Sequence, residues 1–150
     1  MVFIRENITI VSGVVMLAAQ FAALFVILFI GHHLGDYWVQ TDRQAINKAL
    51  ACWRGRMICA EHVATYTATM LAVLLLTSWR LDIELDPWRV ALALFVSAVS
   101  HYFADRRRPL RRLAIQTRHG ALWLDGQSGL ALLDQSWHLI WIFIAALIMA

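Results

Sequence analysis

Polar positions in this chain are gathered into short stretches, and the apolar runs between them set the architecture. No charged residue occurs from Asn7 to Gly31, which exceeds the roughly 20 residues a helix needs to cross the hydrocarbon core of a bilayer. That run is also longer and more continuous than the ~7–15-residue apolar core of a signal peptide, so it is expected to be a retained span. Further apolar runs cover residues 63–79, 90–104 and 130–150. The second and third runs are short and must take in their polar flanks to cross. The predicted elements are four helical spans at about 8–40, 58–79, 88–105 and 130–150, forming one all-α membrane domain over 1–150, a four-helix bundle. Asp82, Asp86 and Pro87 mark the turn between the second and third spans, and Gly126 and Gly129 precede the last. Pro109 is expected to end the third helix, since it lacks a backbone donor. The stretch 110–124 mixes Leu, Ile, Ala and Trp with Arg and His, as an amphipathic helix lying in the headgroup region or a partly re-entrant segment would.

Composition agrees with this pattern. The chain has 150 residues, 61% hydrophobic and only 15% charged, against about 45–50% and about 25% in soluble domains. That excludes a soluble globule, and the high hydrophobicity excludes a disordered chain. Cys52 and Cys59 match no zinc or redox spacing and read as free thiols.

Charge supplies the orientation. Of 13 Lys and Arg, ten lie in the connections at about 41–57 and 106–129, and only Arg5, Arg80 and Arg89 lie on the opposite side. Lys and Arg near span ends stay cytoplasmic, so both basic loops are expected inside and both termini outside. Arg106, Arg107, Arg108, Arg111 and Arg112 are candidates for contact with anionic headgroups or a membrane partner. Nucleic acid is the weaker reading of this run, because basic residues beside a span are expected anyway. A homo-oligomer is compatible with the composition.

The remaining ionisable residues are arranged in pairs four apart: His32 with Asp36, His101 with Asp105, and Asp134 with His138, joined by His62 with Tyr66. Positions i and i+4 share one face of a helix. The pairs lie at the exits of odd spans and the entrances of even ones, so antiparallel packing would bring all four to the cytoplasmic end. Ionisable groups at membrane depth are costly and mark functional sites by default. His32, Asp36, His62, His101, Asp105, Asp134 and His138 are therefore candidate ligands for one or two divalent ions. Mixed imidazole and carboxylate suits zinc first, then manganese or iron. Paired ions clamp both oxygens in phosphate or ester hydrolysis. Glu61 and Tyr66 are candidate proton-transfer groups, with Gln40 and Gln135 as supporting hydrogen-bond partners. His33 points about 100° away from His32 and is expected to pack or to contact headgroups; His119 receives no role. The seven Trp residues read as interfacial anchors, and Gln20 as a helix–helix hydrogen bond.

Two other readings use the same residues: a metal-free polar network holding the helices of a small assembly or regulatory module together, and the pathway of a proton- or ion-linked transporter.

At these residues the chain resembles a bacterial and phage membrane-protein family catalogued as domain of unknown function 3307. The shared elements are His32 through Asp36 to Gln40-Thr41, Glu61-His62 to Tyr66-Thr67, His101 to Asp105, and Asp134-Gln135 to His138, over about residues 28–150. Asn47 and Lys48 extend the first element. The Arg-rich stretch after Asp105 departs from the family pattern. The resemblance implies a compact helical membrane protein with a shared polar cluster, and no established activity. A looser similarity is to small metal-dependent hydrolases of the bacterial inner membrane.

Overall fold

A computed structural model describes residues 2–117, 120–125 and 128–150. Arg118, His119 and Gly126 lie outside the described residues. Those described form helices and connecting turns: α1 (Val2–His33), α2 (Asp42–Asn47), α3 (Trp53–Leu81), α4 (Pro87–Asp105), α5 (Arg108–Gln116), α6 (Ala121–Asp125) and α7 (Gly129–Met149).

Helix α1 does not stop at His33 but widens into a π-helical turn, Leu34–Val39. The chain then extends at Gln40, and Thr41 opens α2 with a capping box: its hydroxyl accepts from the Gln44 N–H while the Gln44 side chain accepts from the Thr41 N–H. Helix α3 ends at Asp82 in a left-handed conformation, φ 55°. Asp86 then caps α4 by accepting from the N–H groups of Trp88 and Arg89, and Pro87 fits the first turn, where no N–H is needed.

Two expectations require correction. The stretch 41–57 is not a plain loop, for it holds α2 and the first turn of α3. Pro109 does not terminate the third helix: α4 ends earlier, at Asp105, and Pro109 lies in the first turn of α5 after Arg107 turns the chain at φ 55°. The amphipathic stretch that follows forms α5 and α6, with Leu110 and Ala114 buried and Arg112 exposed.

The four long helices pack in ring order, α1 on α3, α3 on α4, α4 on α7 and α7 on α1. Leu24, Leu28, Met70, Leu74, Ala93, Ile142, Ala145 and Ala146 fill the centre of one half. At Gly31 a Cβ would stand 3.2 Å from Met70 Cα, and at Gly35 it would stand 3.2 Å from Tyr66 Cα, so these two glycines set how closely α1 and its π turn lie against α3. Gln20 reaches the backbone carbonyl of Glu84 in the α3–α4 turn, rather than a neighbouring helix.

Among the described residues, three helices are long and apolar enough to cross a membrane: Gly13–Val39, Trp53–Leu81 and Gly129–Met149. Helix α4, expected as the third span, has 19 residues that include Arg89, His101 and Asp105, and is not among them. Large apolar side chains such as Leu76, Phe95 and Leu147 face outward, while His32, His62, His101, His138, Asp36, Asp105 and Lys48 are buried. Apolar outside and ionisable inside is the arrangement suited to lipid as the surrounding solvent.

Candidate metal centre

Each long helix brings polar groups to one end of the ring. His62 stands two turns into α3, His101 and Asp105 occupy the last turn and a half of α4, His32 closes α1, and Asp134 and His138 lie near the start of α7. Asp36 is carried by the π turn. His62 and His101 are fully buried, and Asp105, His32 and His138 nearly so.

Three ligand atoms from three elements converge. His62 Nε2 lies 3.1 Å from Asp36 Oδ1 and 3.0 Å from His101 Nε2, and His101 Nε2 lies 3.6 Å from Asp36 Oδ1. In a tetrahedral site with bonds of about 2.0–2.1 Å, ligand atoms stand roughly 3.3–3.4 Å apart. The triangle therefore has the dimensions of three corners of such a tetrahedron. His101 also belongs to a second buried group, with Asp105 and His138, whose ligand atoms lie within 4.8 Å of one another. Asp105 Oδ2 is 3.2 Å from His101 Nε2 and 3.3 Å from His62 Nε2.

Hydrogen bonding alone does not satisfy this cluster. His62 Nε2 has Asp36, His101, Asp105 and the Gln40 amide, at 2.8 Å, all within 3.3 Å, yet a ring nitrogen carries at most one proton. Asp105 Oδ2, Asp134 Oδ1, His138 Nε2 and the Nδ1 atoms of His32 and His101 are buried without a hydrogen-bond partner. Buried polar atoms without partners are costly in a low-dielectric interior; a cation would partner Asp105 Oδ2, which faces the His62 and His101 nitrogens, whereas His101 Nδ1 lies across its ring from the triangle. The donor set fits a divalent metal.

A buried ammonium completes the arrangement. Lys48, just past α2, places Nζ 2.6 Å from Asp105 Oδ1 and 3.8 Å from Asp36 Oδ1. Arg106 holds this segment from below, donating to the carbonyl of Lys48 and, at 2.6 Å, to that of Leu50. A polar cavity of about 190 Å³ lined by Asp36, Gln40, Lys48, Asp105, Asp134 and Gln135 leads to the carboxylates.

The family model described as "Protein of unknown function (DUF3307)" matches residues 24–150. The chain belongs to that family. No curated protein and no solved structure matches it, so the looser similarity to inner-membrane hydrolases finds no support. Within this DUF3307 chain, most of the residues that carried the resemblance, Lys48 among them, are those the fold gathers at one end; Glu61 turns away from them.

Other predicted residues take different places. His32 stands beside the triangle: its Nε2 is 3.5 Å from Gln135 Oε1 and its ring 5.2 Å from that of His138. Asp134 is half-buried, 3.6 Å from His138 Nε2. Gln40 Nε2 is 3.4 Å from Asp36 Oδ1. Tyr66 packs its ring on His101, centroids 3.9 Å apart, with its hydroxyl 3.4 Å from Ser97 Oγ. Glu61 needs correction as a proton-transfer candidate: its side chain is half-exposed and paired with Arg43, because adjacent positions on a helix point about 100° apart. His33 does pack, its Nδ1 3.0 Å from the Phe29 carbonyl.

The arginines also divide. Arg106 is committed internally, and Arg111 is bidentate to Asp125 at 2.9 and 2.5 Å, which lowers the Asp125 carboxyl below its ordinary range. Arg107, Arg108 and Arg112 are exposed. Among the tryptophans, Trp38, Trp53, Trp79 and Trp88 project outward, whereas Trp137 donates to the Ser100 carbonyl at 3.2 Å and stacks on Phe103. Cys52 is exposed and Cys59 buried, both free.

Proposed function

We propose that this chain is a membrane-embedded metal-binding protein whose buried His/Asp cluster holds a divalent ion, zinc before manganese or iron. The observation that carries the reading is the Asp36–His62–His101 triangle, with edges of 3.0–3.6 Å drawn from three separate elements. The triangle leaves a fourth position, which either Asp105 Oδ2, 3.2 and 3.3 Å from the same two ring nitrogens, or a water can take; a water there is what a catalytic site needs. A divalent ion so held supplies Lewis-acid polarisation of a phosphate or ester oxygen and lowers the pKa of a water.

The chemistry that fits is hydrolysis of a lipid-linked or headgroup phosphate or ester. The polar cavity over Asp36, Asp105 and Asp134 admits a headgroup from the end of the bundle, with Lys48 and Arg107 in its wall to meet negative charge. Tyr66 fixes the His101 ring by packing on it, Gln40 borders the triangle, and Gln135 steadies His32. With four spans in a bacterial inner membrane, the distribution of Lys and Arg supports an orientation with this end of the bundle cytoplasmic and both termini outside. Exposed Arg108 and Arg112 then lie at the level of anionic headgroups.

The short Lys48–Asp105 pair favours a second reading, a metal-free polar lock in a small assembly module. Metal analysis of the purified full chain, beside a variant with both His101→Ala and Asp105→Ala, separates the two. Stoichiometric zinc, manganese or iron that the variant loses supports the metal centre. A stable wild-type chain that retains no metal after loading overturns it. Release of phosphate or free acid from mixed anionic vesicles by the loaded wild type, absent in the variant, supports the hydrolase; equal rates overturn that part alone.

A further inference from the structure

We infer that the centre holds one divalent ion rather than two, because the Lys48 ammonium stands where a second would bind; this rests on the metal centre proposed above. In a two-ion hydrolytic site the ions sit about 3.5–4 Å apart, and a shared carboxylate gives one oxygen to each. Asp105 is the residue placed for that role. Its Oδ2 faces the two imidazoles at 3.2 and 3.3 Å, while its Oδ1 lies 2.6 Å from Lys48 Nζ. The second lobe of the carboxylate is thus already taken by a cation of the chain's own. Asp36 Oδ1, the oxygen of the triangle, lies 3.8 Å from the same ammonium.

The ammonium is also held in place. The capping box fixes α2, the Lys48 N–H donates to the Gln44 carbonyl, and Arg106 grips the Lys48 carbonyl. Lys48 therefore leaves no room for a second ion on the Oδ1 side of Asp105 unless α2 lifts, and the other buried group shares His101 and Asp105 with the first site, so that only His138 would be its own.

The test uses the full chain in detergent, loaded with excess Mn²⁺ and freed of unbound ion. One Mn²⁺ per wild-type chain is expected, with the six-line electron paramagnetic resonance spectrum of an isolated ion. Two per chain, or a spin-coupled spectrum, overturns the inference while leaving the metal centre standing; none at all overturns both. Lys48→Ala removes the resident cation and is expected to raise the content to two, whereas Lys48→Arg stays at one. A folded Lys48→Ala chain that still binds a single ion also overturns the inference. Should that variant fail to fold, the wild-type spectrum decides.

Discussion

The buried pair between Lys48 and Asp105 makes a sharp energetic prediction. Their side chains are only 9% and 2% exposed, with Nζ and Oδ1 2.6 Å apart. Asp105→Asn keeps the shape of the carboxylate and removes its charge. The ammonium is then left with Asp36 at 3.8 Å, beyond hydrogen-bond distance. Breaking one half of a buried pair costs about 3–5 kcal/mol, mostly from the charge left unpaired. Replacing both partners by apolar residues of similar volume is close to neutral. The double variant Lys48→Met with Asp105→Leu should therefore recover most of what Asp105→Asn loses. The assay is equilibrium unfolding in mixed micelles with a chelator present, so that metal release does not enter the difference. An Asp105→Asn chain within about 1 kcal/mol of wild type, or a double variant as unstable as the single, would refute the reasoning.

Four further outcomes follow from particular contacts. At Gly35 a Cβ would meet Tyr66 Cδ2 at 3.0 Å, so Gly35→Ala should lose about 1–3 kcal/mol to overpacking, against a gain of up to about 1 kcal/mol in helix propensity. Nothing lies within 4 Å of a Cβ at Gly13, so Gly13→Ala keeps only the gain; equal melting temperatures for the two variants would contradict the close approach of the π turn to α3. In intact cells and inverted vesicles, Cys52 should react with a maleimide from the cytoplasmic side alone and buried Cys59 should not react until the protein unfolds. The Gly55 N–H stabilises the Cys52 thiolate, so its alkylation rate should rise with pH through an inflection below the ordinary thiol value. Arg106→Gln removes charged donors to the Lys48 and Leu50 carbonyls, each worth about 1.5–3 kcal/mol, and should speed amide exchange over residues 48–52.

The four long helices and their polar ends were legible because both signals repeat. Long uncharged runs mark helices in lipid, and i, i+4 pairs mark one helix face. What escaped depended on features that do not repeat. The π turn that sets Asp36 against His62 has no sequence pattern of its own; Gly31 and Gly35 indicate only that something approaches there. The position of Lys48 follows from α2 folding back over the cluster, and α2 is too short and polar for an apolar period to show. Its capping box, Thr41 to Gln44, was the available signal. Glu61 was misplaced for a simpler reason. Glu61 neighbours His62 in sequence, but successive helical side chains diverge by about 100°, which turns it to Arg43 instead. Trp137 turns inward to the backbone carbonyl of buried Ser100 in α4 rather than outward to the interface.

X-ray absorption spectroscopy of the zinc-loaded chain tests the central claim most directly. The Asp36–His62–His101 triangle predicts a first shell of nitrogen and oxygen only, at about 2.0–2.1 Å, with the outer-shell scattering of at least two imidazoles. A sulfur shell near ~2.3 Å would place the zinc on Cys52 or Cys59 instead, and it or a spectrum without imidazole scattering would contradict the account.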